Sequence, residues 1–351
     1  MPNSVLTSAI DAVASGTDLS AEEAQDVLSE IMGGNVGEAQ TAAFLIALRA
    51  KGETVEELTG LARTMRKLAV PVEVDNDELL DTAGTGGGVP TFNVSTTAAF
   101  VAAGAGCCVA KHGNRSATSR SGSADLLEAL GARIDLDAAG VARCITDVGF
   151  GFMFAPAHHQ ATRHVVPVRK ELGVRTIFNF LGPLTNPAGA TRQLIGVADP
   201  DYMDLMAGAL ERLGTHHALI VSSTDGLDEV SICAETRVVE VTGAGTRRYT
   251  VSPEDVGLAR AWHADVAGGS PDENAAIARA VLEGEAGPHR ALVAFNAGAA
   301  LMVAGRASTL EEGVRLAEET LDSGAALQSM ESFVSKTREL SSPQESGERA
   351  R

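Results

Sequence analysis

The sequence is poor in lysine, has no paired cysteines and contains no long apolar run, and each absence narrows what the protein can be. Five lysines stand among 351 residues, and 28 Lys and Arg face 46 Asp and Glu, a formal net charge of -18. A protein that coats nucleic acid needs a basic surface to release counterions, so no nucleic-acid partner is expected. Cys107, Cys108, Cys144 and Cys233 form no CxxC pattern, and the adjacent Cys107 and Cys108 cannot easily bridge each other. They read as small buried apolar side chains in a reducing compartment. The N-terminus MPNSVLTSAIDAVASG lacks the basic segment and apolar run of a secretion signal. No apolar run approaches the ~20 residues of a membrane span. The expectation is a cytoplasmic protein with no membrane contact, in which a local basic pocket would stand out against an acidic surface.

What is present divides into two styles. Residues 4–69 read as helices. In DLSAEEAQDVLSEIMGG, Ser20 and Glu23 make a capping box, Val27, Ile31 and Met32 share a face, and Gly33-Gly34 ends the element. TVEELTGLARTMRKLA repeats Leu58, Leu61, Met65 and Leu68 at helical spacing. From residue 78 strand candidates (78–82, 107–111, 218–222, 291–295) alternate with helical ones (96–103, 124–130, 201–213, 273–283), which predicts an α/β unit with a largely parallel sheet. Residues 236–251 read as a β-hairpin around Gly243 and Gly245. Residues 158–189 interrupt the alternation with a helix and irregular loops. The tail 341–351 is expected to be disordered.

Two strand-to-helix transitions carry polar chemistry. In the first, a strand runs into Gly84-Thr85-Gly86-Gly87-Gly88, and a helix starts near Asn93 to Thr96. Glycines let backbone N–H groups converge, and a helix N-terminus adds free donors and partial positive charge, which suits phosphate. GxxxxGK[ST] is absent, so this is no P-loop; a glycine run alone also reads as a structural turn. The second transition is KHGNRSATSRSGSADLLEALG, residues 111–131, with Ser121 or Ser123 as the expected cap and Lys111, Arg115 and Arg120 in one region. Adjacent βα loops of a doubly wound sheet open at the same edge, so together they suit a ligand with more than one phosphate. A third loop, STDGLDEVS, places Asp225, Asp228 and Glu229 after a strand. Such carboxylates suit Mg²⁺, a hard cation that bridges to phosphate, as well as simple solvation. His158, His159 and His164 lack the further ligands of a zinc site.

With these residues in hand, the chain resembles the anthranilate phosphoribosyltransferases of the nucleoside phosphorylase-like transferase class. The motifs that carry the resemblance are GTGG, FNVST, KHGNRSATSRSGSADLLEALG, VRKELGVRTIFNFLGPLTNPA and DGLDEVS, in order from about Leu6 to Thr337. It implies a small all-helical domain (1–72 plus about 160–190) and a larger α/β domain (73–159 plus about 191–340) with a central, largely parallel sheet, in a homodimer. It also implies that phosphoribosyl pyrophosphate is bound by Gly84, Gly87, Gly88, Thr91, Asn93, Val94, Ser95 and Thr96. The second transition adds Lys111, His112, Gly113, Asn114, Arg115, Ser116, Ala117, Thr118, Ser119 and Ser123. Anthranilate would meet Gly84, Asn114, His159 and Arg169, with His112 close by. Ser95, Asp228 and Glu229 would hold the cofactor Mg²⁺. Lys111, Asn114 and Arg169 would carry the catalysis, Lys111 by stabilising the departing pyrophosphate and Arg169 by clamping the anthranilate carboxylate; His112 is a minor option for the late proton.

The chain departs from the family pattern at Gly88, where an Asp is usual in a loop one residue longer, and at His158, where Tyr is frequent. Three alternatives stay open at this point: a transferase for another aromatic amine, a pyrimidine nucleoside phosphorylase of the same fold, and a non-catalytic nucleotide-binding homologue.

Overall fold

The computed structural model describes residues 1–116 and 120–341. Its centre is one seven-stranded sheet: β1 (Leu80–Gly84), β2 (Val109–Gly113), β3 (Phe150–Phe154), β4 (Arg192–Gly196), β5 (His217–Ser223), β6 (Thr236–Thr242) and β7 (Gly245–Val251). The order is β3-β2-β1-β4-β5-β6-β7. The first five strands are parallel, and the hairpin β6–β7 continues the sheet antiparallel from β5. The chain moves from β1 to β2 on one side and returns through β4 on the other, so strand order reverses between β1 and β4. A crevice opens at the carboxyl ends of strands at such a point.

Both faces are covered, as a parallel sheet requires. In β5, Leu219 and Val221 enter a core with the helices Val94–Gly104, Pro271–Leu282, Pro288–Val303, Leu310–Asp322 and Ala325–Ser341. Ala218 and Ile220 face the other way, into a core shared with the N-terminal helices and with Val165, Val168, Phe178 and Leu181. Residues 165–184 therefore pack with the N-terminal helices, far from them in sequence.

One capping box forms as its spacing predicts, and the structure adds a second. Ser20 with Glu23 starts Ala21–Met32, and Thr54 with Glu57 starts Val55–Leu68. Leu68, expected on the apolar face, is exposed at 43%. Residues 291–295 are not a strand. They lie inside the helix Pro288–Val303, buried on nearly all sides, and a short all-apolar run cannot be told from a buried helix by period. Ser341 is the last residue of a helix; the rest of the expected tail, 342–351, lies outside the described residues. Among the described residues no helix is long and apolar enough to cross a membrane.

Candidate active site

The glycine loop leaves β1 and folds against the acidic loop after β5. The Gly86 amide donates to the Asp228 carboxylate, and Val89 N donates to Gly226 O at 2.9 Å. Gly86 and Gly87 have φ of 66° and 86°, a left-handed conformation that needs glycine. Gly88 is glycine for a different reason: a Cβ there would stand 2.5 Å from Asp228 Oδ1 and 2.8 Å from Gly226 O. The carboxylate that the resemblance implies at this position therefore has no room while this loop is closed on Asp228. Gly88→Asp is expected to cost about 1–3 kcal/mol through overpacking, read as a lowered Tm; an unchanged Tm would show that the loop yields freely.

The helix Val94–Gly104 begins without a side-chain cap. Asn93, placed to cap it, turns sideways: its Nδ2 donates to Ser121 O at 3.1 Å, and its Oδ1 accepts from Ser121 Oγ and Asn274 Nδ2, both at 2.9 Å. These bonds tie the two strand-to-helix loops together. They also leave the helix start open toward the acidic loop, where the Ser95 amide donates to Glu229. Uncapped helix donors are an anion site in waiting.

Asp228 and Glu229 are neighbours at this spot. Burial, and then the charge of Asp228, push the Glu229 carboxyl up to about 8; burial raises Asp228 as well. Two adjacent carboxylates under mutual repulsion are a donor set that a divalent cation satisfies, so Ser95, Asp228 and Glu229 fit Mg²⁺. The sign for stability follows. Folded Glu229 keeps its proton to about 8 and an unfolded glutamate loses it near 4.5, so folding loses stability as pH rises between those values. Glu229→Gln is expected to flatten the fall in Tm across that window in chelator-treated protein; an unaltered slope would refute the assignment.

Lys111 does not reach into the cleft. It is 2% exposed, and its three ammonium donors are taken by Thr82 O, by Thr82 Oγ1 at 3.1 Å and by Ser95 Oγ at 3.4 Å. Burial lowers its pKa, opposed by Asp81 and Glu229. Lys111 thus steadies Ser95 and the acidic pair from behind instead of meeting a ligand directly. Asp81, invisible as a site residue in the sequence, is fully buried and accepts from His112 N at 3.1 Å and Asn186 Nδ2 at 2.8 Å.

The three cations of the second loop do not converge. Arg115 turns away to Asp125 and Glu128, at 2.9 and 2.5 Å, and lies over the Phe154 ring. Arg120 faces Glu273 at 3.7 Å. The helix is Ser123–Ala129, so neither expected serine caps it. Ser121 bonds Asn93, Ser123 Oγ donates to Asn114 O at 3.2 Å, and Asp125 takes the amides of Gly122 and Ser116 at 2.8 and 3.1 Å. Ala117, Thr118 and Ser119 lie outside the described residues.

Across the crevice the helix Phe178–Leu184 packs on β1 and β2. Gly182 O meets His112 Nδ1 at 3.2 Å, and the His112 and His159 rings lie 5.0 Å apart. The Nε2 of each is buried with no hydrogen-bond partner. Burial drives His112 down to about 3 and His159 to about 4. Both are neutral at pH 7, which removes His112 as an effective late proton acceptor. His158 Nδ1 is engaged by Val70 O at 3.0 Å. Arg169, half-buried over the Phe178 ring, has no carboxylate partner among the described residues. Arg175, to which the sequence assigns no role, donates to Gly86 O, while its own carbonyl accepts from Arg49 at 2.9 Å. It straps the glycine loop to the N-terminal helices.

Comparison with known proteins places the chain in a family. Residues 76–327 match the glycosyl transferase family, a/b domain, and residues 7–69 match the helical bundle domain of the same family. The anthranilate phosphoribosyltransferase of Moorella thermoacetica is 52% identical over 331 residues, covering 94% of this chain and 98% of the relative. The crystal structure of the anthranilate phosphoribosyltransferase from Thermus thermophilus superposes with a TM-score of 0.89 at 48% identity, over 94% of this chain and 99% of that one. The Saccharomyces cerevisiae enzyme in complex with PRPP and Mg gives 0.88 at 30% identity, over 95% and 98%.

Proposed function

The chain belongs to the glycosyl transferase family and, within it, to the anthranilate phosphoribosyltransferases, and from that premise we propose how its cleft works. The reaction transfers the phosphoribosyl group of phosphoribosyl pyrophosphate to the anthranilate amine and releases diphosphate, a step of tryptophan biosynthesis. The observation that carries the site assignment is one junction: an uncapped helix start and a self-repelling carboxylate pair meet at the carboxyl ends of β1 and β5.

The amine nitrogen forms a bond to ribose C1 as the bond from C1 to the pyrophosphate oxygen breaks. Negative charge grows on the leaving group, and positioned donors stabilise it. Gly84, Gly87, Gly88 and Thr91, with the helix start from Asn93 to Thr96, hold the pyrophosphate. Gly113, Asn114 and Ser116 to Ser119, with Ser123, hold the rest of the donor, while Arg115 stays paired with Asp125 and Glu128. Ser95, Asp228 and Glu229 would hold Mg²⁺, which when bound would supply divalent positive charge at the leaving group. Lys111 fixes that ligand set through Ser95.

Arg169, a cation lacking an anion, receives the anthranilate carboxylate in a planar fork. Asn114 and Gly84 border the ring, and neutral His112 and His159 offer it their unpartnered nitrogens. An aromatic amine is unprotonated at pH 7, so no general base is needed for attack, and the proton that the nitrogen sheds once bonded to C1 passes to water or to the departing diphosphate. Residues 1–72 with about 160–190 make up the helical part and the remainder the α/β part; the working unit is a cytoplasmic homodimer.

An acceptor panel tests the reading. With phosphoribosyl pyrophosphate and Mg²⁺, diphosphate release should depend on anthranilate and be slower with other aromatic amines, and pyrimidine nucleosides with phosphate should not react. A faster amine or nucleoside phosphorolysis would overturn it.

A further inference from the structure

The acidic loop holds a second set of ligand-type side chains, which flank Asp228 and Glu229 in sequence. Asp225, Cys233 and His263 present a carboxylate oxygen, a thiol sulfur and an imidazole nitrogen all within 4.8 Å of one another. They come from two places: Asp225 and Cys233 from the connection between β5 and β6, and His263 from the turn His263–Val266. No spacing motif announces them; the fold alone assembles the set. His263 Nε2 stands 3.3 Å from Asp225 Oδ2. That is close to the edge of a tetrahedron whose N and O ligands bind one ion at about 2.0–2.2 Å.

The ligands are also held from behind. Ser231 Oγ donates to Asp225 Oδ2 at 2.8 Å and accepts from Cys233 N at 2.9 Å, and Leu227 N donates to Asp225 Oδ1 at 3.2 Å. Such outer hydrogen bonds orient metal ligands. Asp225 and Cys233 are half-buried and His263 is exposed, which leaves one side open to water. Thiolate and imidazole select a borderline ion over hard Mg²⁺.

We propose that Asp225, Cys233 and His263 bind a divalent transition ion of the Zn²⁺ type, with water as fourth ligand, at a site separate from Asp228 and Glu229. Binding releases the Cys233 thiol proton to solvent. It ties the acidic loop to the turn at 263–266 and braces Asp228, three residues beyond a ligand.

Metal-stripped full-length protein titrated with Co²⁺ tests this. One equivalent should produce a near-ultraviolet thiolate-to-cobalt band with tetrahedral visible absorption, displaced by Zn²⁺ and unaffected by excess Mg²⁺. Cys233→Ser should abolish the near-ultraviolet band. His263→Ala should weaken binding by more than the ~10–100-fold that an outer-shell change costs. Asp228→Ala/Glu229→Ala protein should keep the band, which separates this site from the acidic pair. A stoichiometric titration without the band, or a band that survives Cys233→Ser, overturns the proposal and leaves an ion pair beside a free thiol.

Discussion

Asp228→Ala/Glu229→Ala protein is expected to lose on the order of 10³-fold or more in kcat/KM, with no recovery at saturating Mg²⁺. The leaving pyrophosphate carries most of the charge that develops, and a metal's stabilisation of such charge amounts to several kcal/mol. No other pair of described carboxylates meets the uncapped helix start at Val94, so nothing replaces the lost ligands. The fold should survive the change. Glu229 is a strained member of the native state, its carboxyl pushed up to about 8 by burial and by Asp228, and its removal relieves repulsion. Kinetics against Mg²⁺ concentration, with a thermal melt of the same protein at pH 8, separates lost chemistry from lost structure. A retained rate would refute the metal role, and a collapsed Tm would show that the pair is structural.

Arg169→Ala should act on one substrate only. A hydrogen bond to a charged group contributes about 1.5–3 kcal/mol, so the anthranilate KM should rise about 10- to 150-fold. The phosphoribosyl pyrophosphate KM should stay close to its original value. Arg169 sits over Phe178 with no carboxylate partner among the described residues, so its truncation leaves no protein anion stranded. Arg169→Lys keeps the charge and loses the planar fork, and should recover only part of the affinity. An unchanged anthranilate KM in the alanine variant would place the carboxylate elsewhere.

What could be read in advance was local. The Ser20–Glu23 box, the helix start within FNVST, the β6–β7 hairpin and the closeness of the two loops all follow from short-range chemistry, and the structure has them. What could not be read depends on distant partners. Arg115 looked like a phosphate ligand until Asp125 and Glu128 came into reach on the next helix. Lys111 looked exposed to the cleft, yet β2 is covered on both faces and buries it against Thr82 and Ser95. Residues 291–295 had the composition of a strand and the surroundings of a core helix. Asp81, Asn186 and Arg175 carried no signal as single letters; each matters through a partner more than 30 residues away. Gly88 was legible as a departure, but its cause, the packing of Asp228 against it, was not.

The most direct test of the account is the fate of anthranilate itself. Protein mixed with anthranilate, phosphoribosyl pyrophosphate and Mg²⁺ should extinguish anthranilate fluorescence with matching release of diphosphate, and omission of the phosphoribosyl donor should stop the loss. Undiminished fluorescence at micromolar protein, with all three present, would contradict it.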